Sequence, residues 1–168
     1  MADNTSHPSL FDINVMLPSK PIEDKILACN STTEAYGLTL TQKQALNLVK
    51  TRTEALKKTS RIEFGTGIID KLILAFCDSP YIEQQNYEDT LHELISLFYS
   101  AKNETWDTIP DDTLIKFMKD AFNSYCRGSL ELLSEDALVP LARHIHSGYS
   151  IETFTYNSEQ YDAEQNNE

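Results

Sequence analysis

Asp111-Asp112-Thr113-Leu114-Ile115-Lys116-Phe117-Met118-Lys119-Asp120-Ala121-Phe122-Asn123-Ser124-Tyr125 carries the cleanest helical period in the chain. Leu114, Phe117, Met118, Ala121, Phe122 and Tyr125 recur at steps of three and four, so a helix gathers them on one stripe. A strand would divide them between two faces. Asp111 or Asp112 opens this helix by capping it and opposing its dipole, and Gly128 breaks it.

The same period spreads outward in both directions. Upstream, Asn86 is placed to cap a helix in which Leu91, Leu94, Ile95, Phe98 and Tyr99 make a wide apolar face, fading at Lys102-Asn103. A polar connection carrying Trp106 and Pro110 follows it. Before it, Gly65-Thr66-Gly67 form a turn that opens onto Ile69, Leu72, Ile73 and Phe76, spaced i, i+3, i+4 and i+7. Pro80 stops that helix near Cys77-Asp78. Thr41 and Gln44 have capping-box spacing, ahead of a helix through Ala45, Leu48, Val49, Arg52 and Leu56 to about Lys58. Ser19-Lys20-Pro21 begins a first short helix ending near Tyr36-Gly37. Downstream, Ser129 and Ser134 are caps for a final pair of short helices around Pro140, ending near Gly148.

The reading is an all-α, single-domain irregular bundle of about five to seven helices. Its expected layout is a flexible arm over 1–18, a helical domain over 19–148 and an acidic disordered tail over 149–168. The arm holds the short apolar, partly alternating run Leu10-Phe11-Asp12-Ile13-Asn14-Val15-Met16-Leu17. In the tail, eight of the last eleven residues are Glu, Asp, Gln or Asn, too polar to bury a core. No internal repeat of helical-solenoid period is legible.

Composition narrows the function classes. At 168 residues and 40% hydrophobic, the chain supports one core rather than two. No apolar run approaches the ~20 residues a membrane helix needs, and the first residues lack the pattern of a secretory signal. A cytoplasmic location without membrane attachment is the expectation. Cys29, Cys77 and Cys126 are odd in number and far apart, which fits reduced thiols. Net charge is −12, which disfavours nucleic acid as a partner. Against this runs residues 43–71, with seven basic side chains and three acids.

Each chemical constellation meets a specific obstacle. Cys77, Cys126, His144 and His146 are zinc-type donors, but there is no Cys-x-x-Cys pair, and two histidines two residues apart on a helix diverge. A calcium hand counted from Asn103 puts Thr108 where glycine is needed and Leu114 where glutamate is needed. Gly65-Thr66-Gly67 lacks the remainder of a phosphate loop. No metal and no cofactor is expected, and no catalytic residue can be assigned.

Glu63-Phe64-Gly65, Phe76-Cys77-Asp78-Ser79-Pro80-Tyr81-Ile82, Phe98-Tyr99, Lys102-Asn103-Glu104 and Gly128-Ser129-Leu130-Glu131 resemble an uncharacterised family of small helical proteins from clostridia and related Gram-positive bacteria. The resemblance covers about residues 38–148. It implies a bacterial cytosolic origin and carries over no activity and no functional residue.

The leading expectation is therefore a protein-interaction or adaptor module. The alternative is a small-molecule binder or enzyme with a pocket near Glu63, Phe64, Gly65, Cys77, Asp78 and Tyr81, since polar groups there flank both ends of an apolar helix. A weaker alternative is a nucleic-acid-binding regulator using Lys50, Lys57, Lys58 and Arg61 within the basic helix of 43–61.

Overall fold

A computed structural model of the chain describes residues 20–65 and 67–156. The arm of residues 1–18, Ser19 of the expected helix start, Thr66 at the centre of the glycine turn, and residues 157–168 lie outside the described residues. The fold is an all-α irregular bundle. Helix α1 spans Lys20–Ala28, and a helical turn over Asn30–Thr33 and Glu34–Tyr36 follows it. Gly37, at φ 75°, closes that turn in the left-handed conformation. Helix α2 is Gln42–Lys58, α3 is Ile69–Phe76, α4 is Tyr87–Glu104 and α5 is Asp111–Asn123. Leu130–Leu132, Leu133–Leu138 and Val139–His146 run on without a break and together form α6.

Local chemistry explains most of these boundaries. At the start of α2, Gln44 N–H donates to Thr41 Oγ1 (3.2 Å) and Thr41 N–H donates to Gln44 Oε1 (2.9 Å), the full capping box. Asn86 departs from its expected role. Its side chain accepts from Glu83 N–H and donates to the Tyr81 carbonyl, so it ties the preceding turn instead of capping α4. Ser129 does cap, accepting from Leu132 N–H at 3.2 Å. Ser134 does not begin a second helix. Pro140 lacks an N–H and its ring crowds the carbonyl four residues back, and the turn before it widens to π geometry over Leu133–Leu138, keeping α6 continuous.

The helices pair in a repeated register. Side-chain hydrogen bonds between the helices repeatedly bridge 41 to 47 positions. Asn47 meets Glu88 and Thr51 meets His92, so α2 and α4 lie side by side and parallel. Lys71 meets Asp112 and Asp78 meets Lys119, so α3 and α5 do the same. His146 at the end of α6 donates to the Glu104 carbonyl at the end of α4, which sets these two parallel as well. Thus α2, α4 and α6 form one layer, and α3 and α5 carry the chain back behind it.

Burial follows that register. Ala45 and Tyr87, Leu48 and Thr90, Val49 and Leu91, Leu72 and Leu114, Phe76 and Met118 are all buried, each pair 42 positions apart. Leu133 on α6 extends the Val49–Leu91 series. Stacked helical units of this size pack by such neighbour contacts. The sequence shows no internal repeat of helical-solenoid period, and in the structure it is the spacing of buried positions that recurs.

Two buried cations fix the connections between layers. Arg52, 4% exposed, donates to the Gly65 and Glu63 carbonyls and to Tyr99 Oη, and faces the Glu63 carboxylate at 3.6 Å. Lys102, 3% exposed, places its ammonium against Ile109 O (2.6 Å), Asp107 (2.8 Å) and Asp111 (2.8 Å). Beyond Gly148, residues 149–156 form a strap over the flank of α5. Phe154 and Tyr156 pack on Phe117 with ring centroids 5.5 and 6.0 Å away, and Tyr156 stacks on Tyr125 at 4.9 Å.

Candidate interaction surface

The outer side of the α2–α4–α6 layer carries two adjoining grooves, one on each side of α4. Between α2 and α4 lies a groove of about 520 Å³ with a mixed lining, polar at Thr51, Glu54, Lys58, Ser96, Ser100 and Asn103 and apolar at Ala55, Leu97 and Tyr99. Between α4 and α6 lies a groove of about 340 Å³ with an apolar floor of Leu97, Ala101, Leu138, Val139 and Ala142. Glu104, Arg143 and His146 rim it. Leu97 and Ser100 line both grooves, so the two are continuous across α4.

Trp106 stands at the α6-proximal end of this face, 65% exposed and stacked on His146 with ring centroids 4.1 Å apart and planes 15° apart. Its backbone lies in the left-handed region (φ 54°), as does that of Asp107 (φ 60°). Two consecutive non-glycine residues there are strained, and the neighbours hold them in place. Asp107 is gripped by Lys102 at 2.8 Å and Arg61 at 3.0 Å, which fixes the turn that presents the indole to solvent. Hydrogen bonds from Lys102 and then Arg61 hold the Asp107 carboxyl below its ordinary value.

Arg143 borders both the apolar groove and a further cleft of about 410 Å³ beside the strap. Among the described residues its guanidinium has no ion pair. The strap cleft is aromatic: His144 stacks on Tyr149 at 5.0 Å and meets the edge of Phe154 at 5.5 Å. The His144 Nε2–H donates to the Ser150 carbonyl (3.0 Å) and lies 2.9 Å from Thr153 Oγ1, which pins the strap. Burial pushes the Tyr156 phenol up to about 12.

The six residues singled out from sequence fall into two groups at opposite ends of α3. Glu63 pairs with Arg52 and Arg61, Gly65 gives its carbonyl to Arg52, and Phe64 is 74% exposed. At the other end Cys77 is buried, Asp78 pairs with Lys119 at 3.1 Å, and Tyr81 packs on the edge of Phe122 and over Gly128. None of the six lines the grooves or the strap cleft. Of the basic set, Lys50, Lys57 and Lys58 are exposed, whereas Arg61 is held by Glu63 and Asp107. Arg52 and Lys71 of the same segment are also engaged with acids.

The thiols are not arranged as nucleophiles. Burial pushes Cys126 up to about 11, assisted by Asp136, and raises Cys29 and Cys77 as well. Among the described residues no group of three or more His, Cys, Asp or Glu side chains is disposed to hold a metal ion. Among them too, no helix is long and apolar enough to cross a membrane.

Fold and surface define an all-α bundle whose layer of parallel helices bears a grooved outer face. The chain belongs to the Family of unknown function (DUF6323), which matches residues 25–151. Comparison with curated proteins and with solved structures gives no match.

Signals for this face were present in the sequence but scattered. Leu97 sits off the apolar stripe of α4, Val139 precedes a proline, and Trp106 lies in a polar connection. Only the pairing of α4 with α6 brings the three together.

Proposed function

We propose that this protein is a cytoplasmic protein-interaction module of clostridial or related Gram-positive origin, which binds a peptide segment of a partner across the α2–α4–α6 face. The observation that carries this reading is the apolar floor of the α4/α6 groove, with Trp106 held out beside it on a strained backbone. Tryptophan is enriched in binding hot spots, where it packs with apolar neighbours into a contact that excludes water once the partner is bound. The strongly negative net charge supports protein over nucleic acid as the partner. In this reading the working unit is the helical domain together with the strap of residues 149–156.

The test is selection of peptides from a random display library on the immobilised full chain. Affinity is then measured by isothermal titration calorimetry, which needs no fluorophore and so also reads the variant that lacks the single tryptophan, Trp106. Selected peptides should bind Val139→Glu and Trp106→Ala at least about tenfold more weakly, while Tyr36→Ala, an exposed aromatic outside the grooves, changes nothing. Equal affinity for parent, Val139→Glu and Trp106→Ala would overturn the reading.

A further inference from the structure

We propose that the cleft between α6 and the strap binds a proline-rich segment of a partner protein in the polyproline II conformation. The cleft holds about 410 Å³ and has two unlike walls. Five rings make the first. Tyr149, His144, Phe154, Tyr156 and Tyr125 all line it, each beside the next with centroids 4.9–5.5 Å apart. Asp136, Pro140, Arg143 and Ser147 make the second wall, and their spacing of three and four places them on one stripe of α6.

A polyproline II helix is complementary to both walls. It has no internal hydrogen bonds, so its carbonyls call for donors, and its pyrrolidine rings call for an apolar surface. Arg143 is exposed, and its guanidinium N–H groups are in no ion pair among the described residues. Tyr149 is 60% exposed and adds a ring and a phenol. One polyproline II turn advances about 9 Å, roughly two ring-to-ring steps along the aromatic row.

An ordinary extended peptide suits the cleft less well. Such peptides bind by adding a strand to a sheet edge, and the described residues form helices and turns but no strand. The backbone groups of α6 are bonded within the helix, so they offer no ladder to a ligand. A proline-rich segment needs no ladder and is already extended, so it loses little entropy on docking. Charge adds direction. Asp136 is exposed and in no ion pair among the described residues, and it stands at one end of the stripe. A basic residue flanking the prolines pairs with it. The cleft shares Arg143 with the α4/α6 groove but not Val139 of that groove's floor.

Three probes are titrated calorimetrically against the full chain: decaproline, decaproline preceded by two arginines, and a glycine-serine decamer. Both proline peptides should bind saturably, and the glycine-serine decamer should not. Tyr149→Ala removes an exposed ring, so the fold is kept, and should weaken both proline peptides at least about fivefold. The two arginines should tighten binding about two- to threefold, a gain that Asp136→Asn should abolish without affecting plain decaproline. Val139→Glu should bind decaproline as the parent does.

No saturable binding of decaproline at millimolar concentration overturns the inference, as does equal binding of the glycine-serine decamer. Parent affinity in Tyr149→Ala overturns it too. Loss of decaproline binding in Val139→Glu moves the ligand to the α4/α6 groove and has the same consequence. Display-selected peptides that depend on Val139 are unaffected by any of these results, so the reading of the α2–α4–α6 face stands or falls separately.

Discussion

Gly67 shows how one missing side chain permits the connection between α2 and α3. A Cβ there would lie 2.4 Å from Arg52 Nε and 2.5 Å from Glu63 Oε1, and the residue sits at φ 61°. Gly65 also has positive φ, but a Cβ there meets nothing within 4 Å. Gly67→Ala must therefore displace the buried guanidinium as well as strain the backbone, at about 3 kcal/mol. Gly65→Ala bears the backbone cost alone, about 1 kcal/mol. Urea unfolding of the two variants should separate them in that order, and equal midpoints would refute the Arg52 account. Asp107 gives a pH signature on the same scale. Its carboxyl is held below the ordinary value, 3.8, by Lys102 and Arg61. Its contribution is thus present above that value and lost as pH falls through the lower folded-state value. The thermal midpoint of the parent should fall more steeply in acid than that of Asp107→Asn, with the gap closing at the lowest pH. The side chain is about half exposed, so the difference is modest and shrinks in high salt.

Individual helices differ in how far their own sequence specifies them. The Thr41–Gln44 box makes the start of α2 a local decision. Thr41→Ala should cost about 1 kcal/mol of global stability without moving other elements, as read by chemical denaturation. Helix α6 is the opposite case. Taken locally, Ser129, Ser134 and Pro140 describe two short helices. The observed run is continuous because Leu133, Ala137 and Leu141 are buried against the layer, and closing the gap preserves that contact. Burial of several large side chains outweighs one lost backbone hydrogen bond, and the π turn absorbs the mismatch.

For the whole molecule, the strap of residues 149–156 covers the flank of α5. Ending the chain after Tyr156 keeps the strap's packing on Phe117 and Tyr125 and serves as the reference. Ending it after Gly148 uncovers Phe117 and Tyr125 and removes the packing of Ile151, Phe154 and Tyr156. Half-burial of three such side chains makes this a loss of about 3 kcal/mol, visible as a lower midpoint and as new binding of a hydrophobic dye. If the two truncations behave alike, the strap contributes nothing to stability. At this scale the basic segment of residues 43–71 also finds its explanation. Arg61 and Lys71 meet Asp107 and Asp112 one register away, so part of the local charge is neutralised within the fold.

The sequence by itself determined that the chain is helical, where most helices begin and which stripe of each turns inward. Those features depend on contacts within four residues and on the period of apolar side chains, both of which are local. It also placed Gly37 and the α2 cap correctly, since a left-handed turn and a capping box are local chemistry. The tertiary structure alone decided that α2, α4 and α6 run parallel at a register near 42. Most of the recurring positions share burial without identity, as Ala45 with Tyr87 and Phe76 with Met118 illustrate, and a match such as Leu72 with Leu114 is too isolated to show as self-similarity in the letters. For the same reason the grooved face went unread. Leu97, Val139 and Trp106 are separate apolar residues along the chain, and become one surface only when α4 and α6 pack side by side.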